Sequence, residues 1–500
     1  MKTKLIYPTL KRFIAPVAAC VIFLTSSVSG QFLWSERIAS VGSLPSGEPD
    51  VGLVLDGQDN CYVTGFFDGT NDFGGVTLTN QSIGGCDIFV AKYDSGGALK
   101  WARRAGGNAS VQNTGRGIGV DAAGNVYVTG GFRGPADFGN INLPAANAKN
   151  FFLAKYDNAG TTQWVQRAND GNSAYGTGLT VDGNGNSYVL GFVNGDGTLV
   201  LGSLNLALPP AEVSFIAKYD ATGAAQWAQL MGGSDEVYAT KVAIDSSGNV
   251  YVRGTFFSTL TIGATNLTVS AGSTENMFVA KFDNSGNLLW VRQAQGGNVD
   301  EGGVAVDSSR SVYVTGYFHN TLNFGGISLT NTAPESSTGN AFTAKYDSSG
   351  VIQWANQAVG STGGVFWDAA MDARDNVYTA GFLGGYAVVS KYNSSGALQW
   401  SYSASGPPAL PDSSTVSKCA VDAAGHCYVA GWYQGTASFG AANLARQGVW
   451  NFFLASMTPT DPAVQFTAIP NRGAVPLAVQ FSSPAVDSLG HAIASWNWAF

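Results

Sequence analysis

One phrase returns throughout this chain and dictates what it can fold into. The phrase ends in tryptophan: Leu99-Lys100-Trp101, Thr162-Gln163-Trp164, Ala225-Gln226-Trp227, Leu288-Leu289-Trp290, Ile352-Gln353-Trp354 and Leu398-Gln399-Trp400, with Leu33-Trp34 as a seventh copy. Successive tryptophans lie 67, 63, 63, 63, 64 and 46 residues apart. Self-similarity of this kind marks one supersecondary unit that buries its apolar face against its neighbours. Each unit carries four strand-like pieces: an apolar run ending in Asp (Gly117-Ile118-Gly119-Val120-Asp121), then Asn125-Val126-Tyr127-Val128-Thr129-Gly130, then Phe152-Leu153-Ala154-Lys155-Tyr156-Asp157, then the Trp strand. Val, Tyr, Phe and Trp between Gly, Asn and Asp is the composition of strands and tight turns.

Two connections of each unit share one turn. Asp121-Ala-Ala-Gly124 and Asp245-Ser-Ser-Gly248 join strands one and two; Asp157-Asn-Ala-Gly160 and Asp220-Ala-Thr-Gly223 join strands three and four. Asp suits the first position of such a turn and Gly the left-handed position that follows. Asp59 and Asp375 stand at that Gly position in two units and tolerate it, whereas Arg310 predicts strain. First strands end at Asp56, Asp121, Asp182, Asp245, Asp307, Asp372 and Asp422, so there are seven sets of strands one to three and seven Trp strands. The chain starts on a lone fourth strand, and its last set, ending near Phe452-Phe453-Leu454-Ala455, has no Trp strand after it. Pairing the segment around Trp34 with the segment around Phe453 closes an all-β, seven-bladed propeller and protects its edges.

The motif Asp-x-x-Gly-Asn-Val-Tyr-Val-Thr-Gly, then Phe-x-Ala-Lys-Tyr-Asp-x-x-Gly and Trp, resembles the SBBP β-propeller repeat of exported bacterial proteins. The resemblance covers residues 31–460. It implies a propeller and no established reaction. The sixth unit departs from the pattern: it lacks the Phe-Gly-Gly piece seen at Phe73 and Phe324, which predicts a notch beside Phe366 and Trp367. Residues 461–500, with Gly473-Ala-Val-Pro476, Val479-Gln-Phe481 and Trp496-Asn-Trp498-Ala-Phe500, resemble the first part of an immunoglobulin-like PKD domain, whose remaining strands would follow Phe500.

Residues 1–30 have the form of a signal peptide. Lys2, Lys4, Lys11 and Arg12 precede an apolar run to Val28, and Val28-Ser29-Gly30 offers small residues for cleavage. A membrane anchor is the alternative, and Val17-Ala18-Ala19-Cys20 is a possible acylation box, though the apolar run continues past Cys20. Removing those four positive charges takes the formal charge from −8 to −12, which argues against nucleic acid or an anionic membrane as partner. No segment of the mature chain is long and apolar enough to span a bilayer. Cys61, Cys86, Cys419 and Cys427 have no zinc spacing; Cys61 and Cys427 fill a slot held elsewhere by Val, so buried thiols are expected, while export leaves oxidation open.

An up-and-down blade puts the uniform turns on one face of the disc and the long, variable loops on the other. Ligands on rigid scaffolds are met by variable loops. The candidates there are Tyr175, Asp235, Glu236, Tyr238, Asp300, Glu301, Phe366 and Trp367, aromatics beside carboxylates that suit sugar rings, against the alternative that the aromatics pack under their own loops. The ring of seven strand-ending Asp residues reads as turn caps rather than a cation site. Asp182-Gly-Asn184-Gly-Asn186 is a weak calcium signal without the later bidentate acid, so no cofactor is expected. Lys92, Lys155, Lys218, Lys281, Lys345 and Lys391 recur at one position, which points to a structural pairing with turn acids. His319, His426 and His491 are the only histidines, with no nucleophile elbow or zinc-helix motif, and no catalytic residue is assigned. The expectation is a secreted or cell-surface binding or scaffold protein recognising a glycan or a protein. The alternatives are a propeller-based lyase or glycan hydrolase, or the binding part of a larger secreted enzyme.

Overall fold

The computed structural model describes residues 31–42, 51–458, 467–469 and 480–482, apart from the stretches 83, 108–111, 146–147, 170, 300–301, 332–338, 361–362, 385, 404–414, 435–436 and 440–441. The expected leader, the pair Asp300 and Glu301, and most of the PKD-like tail lie outside the described residues. The chain divides into two units. Ser29–Pro459 carries seven four-stranded antiparallel sheets, and in the other unit Thr467–Ile469 pairs with Gln480–Ser482. Every regular element among the described residues is a strand.

The sheets occupy residues 52–105, 114–167, 173–231, 237–294, 304–358 and 364–403, and they are numbered here as blades 1 to 6. Blade 2 shows the plan: Thr114–Val120, Val126–Phe132, Asn150–Tyr156 and Thr162–Arg167, each antiparallel to the one before. Blade 7 takes three strands from the C-terminal end of this unit and its fourth from Gln31–Val41, which lies antiparallel to Trp450–Thr458 with Trp34 opposite Ser456. Blades 1 to 5 and 7 insert a two-stranded hairpin between their second and third strands. In blade 6 Leu383 pairs directly with Tyr386, as the absent Phe-Gly-Gly piece predicts.

The recurring residues of the sequence become a cross-strand ladder. Tyr62, Lys92 and Trp101 stand opposite one another on strands two, three and four of blade 1. The same register joins Tyr127, Lys155 and Trp164, and likewise Tyr251, Lys281 and Trp290. Opposed side chains on one sheet face are close enough to pack. The lysine amine lies over the tyrosine ring, at 4.9 Å in blade 1 and 5.0 Å in blade 2. The Trp and Tyr rings meet at 6.3 and 5.9 Å in the same blades.

The ladder also joins blade to blade. The indole Nε1 of six of the seven strand-four tryptophans donates to a carbonyl in the strand-three-to-four turn of the next blade: Trp34 to Ser95 at 2.8 Å, Trp101 to Asn158 at 3.0 Å, Trp164 to Ala221 at 3.2 Å, Trp227 to Asn284 at 2.9 Å, Trp290 to Ser348 at 3.1 Å and Trp354 to Ser394 at 3.1 Å. The turn glycine lies flat against the same indole. A Cβ on Gly97 would come within 2.6 Å of Trp34, and one on Gly286 within 2.6 Å of Trp227. That glycine is therefore required twice, once for its positive φ (85° at Gly97, 84° at Gly286) and once for the ring it carries. The ladder lysines reach the same turns, Lys155 to Ala221 and Lys281 to Ser348, both at 3.2 Å.

Trp400 breaks the series. It is buried, and its Nε1 has no partner among the described residues. The reason lies in the connectivity. Blade 7 takes its fourth strand from Gln31–Val41, and in sequence Thr458-Pro459-Thr460-Asp461 replaces the Asp-x-x-Gly of other units. Trp227→Phe should therefore lower stability by about 1–2 kcal/mol through a lost hydrogen bond and smaller ring, and Trp400→Phe by clearly less, because no such bond is lost. Parallel urea melts of the two variants check this contrast. At the inner turn of blade 5, Arg310 holds a φ of 65°. Arg310→Gly should gain about 1 kcal/mol in the same melts by relieving that strain.

Candidate functional site

The turn face is committed to structure. Asp56 accepts the backbone N–H groups of Gln58 and Asn60 on Oδ1, and the Asn60 amide and Tyr62 hydroxyl on Oδ2. Asp121 and Asp245 repeat this set. The strand-ending acids are thus turn acceptors, and the ladder lysines close on some of them, Lys345 on Asp307 at 3.0 Å. His426 occupies an Asn slot and meets Asp422 through Nδ1 at 2.6 Å, which gives it a turn role. Among the described residues no three His, Cys, Asp or Glu side chains come together as a metal site. Asp182 accepts from Asn184 and Asn186 as a turn cap, the same bonds that Asp121 and Asp245 make at their turns. Cys61, Cys86, Cys419 and Cys427, the four described cysteines, are buried, unbridged thiols; burial, then Asp422, pushes Cys427 up to about 12.

The loop-rich face differs from blade to blade. Tyr175 and Tyr238 hold equivalent places on the innermost strands of blades 3 and 4, and Phe192 on the second strand of blade 3 links them. Ring centroids are 5.4 Å apart for Tyr175–Phe192, 4.8 Å for Phe192–Tyr238 and 6.0 Å for Tyr238–Phe257, all edge to face. The result is an aromatic ridge whose exposed edges are those of Tyr175 and Tyr238, both half-buried, with Phe192 buried between them. Tyr238 donates its hydroxyl to Glu236 Oε2 at 2.6 Å. Burial and this bond push the phenol well above its ordinary range. Beside it a cleft of 520 Å³ is lined by Asn194, Asp196, Glu212, Ser234, Asp235 and Glu236. Burial, then the charge of Glu236, raises Glu212. Tyr175, Asp235, Glu236 and Tyr238 are therefore brought together.

Phe366 and Trp367 are elsewhere, on blade 6. Phe366 is fully buried against Ala341 and Val388 and offers no surface to a ligand. Its side is set by the alternation of the inner strand, which turns it toward strand residues of blades 5 and 6. Trp367 is half-buried, at the strand's bulge, with its ring edge-on to Tyr317 at 6.5 Å. Glu212 and Phe192 were not among the sequence candidates. They come from the second strand and the connection that follows it, whereas the sequence candidates all lie on the four-to-one connections. The innermost strands also hold charge: Lys241 of blade 4 meets Asp368 of blade 6 at 3.8 Å.

Three segments of the chain, residues 100–130, 163–196 and 226–255, match the SBBP family, described as a beta-propeller repeat. The chain is 25% identical over 343 residues to the uncharacterized WD repeat-containing protein L264 of Acanthamoeba polyphaga mimivirus, a match covering 54% of this chain and 24% of that protein's length. Among solved structures it is similar to the Dos1 propeller, at a TM-score of 0.43 and 9% identity over 86% of this chain and 96% of that one. It is also similar to YCF48 bound to D1 peptide, at a TM-score of 0.42 and 10% identity over 89% and 99%.

The Asp–Tyr pairs make stability depend on pH at both ends. Burial, and then Asp182, pushes the Tyr188 phenol up to about 12; burial, then Asp245, pushes Tyr251 further in the same direction. A folded-state value above the unfolded one means stability is complete below the ordinary phenol range and is lost as pH rises through it. Burial raises Asp56, Asp245 and Asp372, but hydrogen bonds to Asn60, Asn249 and Asn376 outweigh it and hold all three below the ordinary carboxylate range. Their contribution is lost as pH falls through that range. Urea melts should give a plateau around neutrality, with a decline above about pH 10 and another below about pH 4.

Proposed function

We propose that this chain is an exported, non-catalytic binding or scaffold protein that recognises an extracellular glycan or protein on the loop-rich face of its propeller. In this reading residues 1–30 direct export, Gln31–Val41 closes the ring against Trp450–Thr458, and the segment from 461 begins a PKD-like domain. The site is the ridge of Tyr175, Phe192 and Tyr238 with the acid-lined cleft between blades 3 and 4. The observation that carries this is the division between the two faces. Turn-face acids, lysines and tryptophans are consumed by hydrogen bonds that recur in most blades, whereas the cleft beside the aromatic ridge is lined by acids from loops that differ between blades. Aromatic edges beside carboxylates suit a ligand with apolar surface and hydroxyl or amine donors. Among the described residues, no helix is long and apolar enough to cross a membrane.

The test is a screen of the processed chain against glycans and extracellular proteins, followed by face-specific variants. Tyr238→Ala and Glu236→Gln should each weaken the ligand found by about tenfold or more, since each removes a buried contact of one to a few kcal/mol. Lys100→Ala, on the turn face, should leave affinity unchanged. The reverse pattern would move the site to the other face.

A further inference from the structure

Three departures from the repeat coincide between blades 2 and 3 on the loop-rich face. The residue after the second-strand glycine is Phe66, Thr255, Tyr317, Phe382 or Trp432 in five blades and Phe192 in blade 3, but Gly131 in blade 2. A Cβ at 131 would lie 2.6 Å from Cε of Lys149 and 2.9 Å from Cβ of Tyr175. The missing side chain is thus the space through which the Lys149 stem runs. The innermost strands bulge at Arg116, Thr177, Thr240, Trp367 and Ser417, and only in blade 2 is the bulged residue charged. Lys149 lies six residues before the ladder lysine of its blade, a place held elsewhere by Cys86, Glu212, Glu275, Gly339 and Trp450 and, in the sequence of blade 6, by Gly385.

These departures set two cations on one ring. The Arg116 guanidinium carbon is 5.3 Å, and the Lys149 amine 4.3 Å, from the centroid of Tyr175. Neither is ion-paired to a described carboxylate, and Arg116 Nε is buried with no hydrogen-bond partner among the described residues. Burial, then repulsion by Arg116, pulls the Lys149 amine down to about 8. A half-buried pair of like charges is unfavourable, and a buried guanidinium N–H left unbonded adds to the penalty. The chain has acids to spare, 34 against 26 basic residues, yet Glu212 and Glu236 line the neighbouring cleft instead. The turn-face lysines recur and are paired; this pair occurs once and is not.

We propose that Arg116 and Lys149, seated on Tyr175, form a receptor for a single carboxylate of the ligand. This rests on the loop-rich face being the binding face. A planar guanidinium fork matches two carboxylate oxygens, and the lysine adds a point charge. A monoanion also suits an acidic chain better than a dianion, which its net charge would repel more strongly.

The test titrates the whole processed chain with acetate, glucuronate, sulfate and phosphate at constant ionic strength against chloride, following melting temperature and the Arg and Lys side-chain NMR signals. Acetate and glucuronate should raise the melting temperature in a saturable way. Arg116→Gln and Lys149→Met should each weaken that response by about tenfold. Gly131→Ala, which pushes on the Lys149 stem, should weaken it as well. Lys149→Met should melt at or above the wild-type temperature, because it removes an unpaired, poorly solvated cation, so its loss of response is not unfolding. The response should fade as pH rises through about 8, where Lys149 gives up its proton. The other groups facing it are Arg116, a guanidinium that stays charged, and Tyr175, whose phenol burial raises; Glu212 acts on Tyr175. Equal effects of acetate and chloride, tighter binding of sulfate or phosphate, or full response in Lys149→Met would each overturn the proposal. A ligand weakened by Glu236→Gln but not by Arg116→Gln would leave the blade 3–4 site standing and remove this one.

Discussion

Six of the seven blades lay the tryptophan of the outer strand on the glycine of the next blade's turn and donate its indole N–H to a carbonyl of that turn. One contact combines burial of a large ring with a directed bond, and its repetition sets the spacing and tilt of neighbouring sheets. The glycine has to be bare for the ring to approach, as the 2.6 Å distance from a Gly97 Cβ to Trp34 demonstrates. The lysine between Trp and Tyr serves the same joint, with its stem along the tyrosine and its amine at the next blade's turn. Blade 7 takes its outer strand from the start of the unit, and there the series ends: Trp400 Nε1 has no partner among the described residues.

That joint explains why the two faces of the disc have different chemistry. Turns that must accept an indole and cap themselves with Asp have no freedom to vary, so they repeat. The opposite face carries hairpins and loops outside the joint, and there the residues diverge: the aromatic ridge, the acids around the cleft, and the bare Gly131 beside Lys149. Hairpins also reach across to the neighbouring blade, as in the bridges of Gly106 with Asp137 and Ala168 with Leu201. The loop-rich face is thereby braced while remaining individual at each blade.

Much of the architecture was legible because it is written seven times. Strand order, the absent hairpin of blade 6, the positive φ of Asp59, Arg310 and Asp375, and the pairing of ladder lysines with the turns follow from the recurring phrase. The site was less legible because it consists of exceptions, and one exception looks like another in a sequence. Tyr175 and Tyr238 were found as aromatics near the start of innermost strands, but Phe366, chosen on similar grounds, points into the core. Alternation along a strand sends every second side chain inward, and the bulge at Trp367 moves that alternation by one residue in a way spacing does not reveal. The inner strands read as apolar, yet Arg116, Lys241 and Asp368 lie on them. Arg116 lies over Tyr175 of blade 3 and Lys241 meets Asp368 of blade 6, contacts between residues far apart in sequence that only the ring brings together.

The inter-blade joint is tested most directly by the indole N–H signals of the tryptophans in a ¹⁵N-labelled sample. Trp34, Trp101, Trp164, Trp227, Trp290 and Trp354 should show the downfield shifts, small temperature coefficients and slow hydrogen exchange of bonded groups, while Trp400 lacks the downfield shift. Indoles of the six that exchange as freely as an exposed tryptophan, or a Trp400 signal indistinguishable from theirs, would contradict the account.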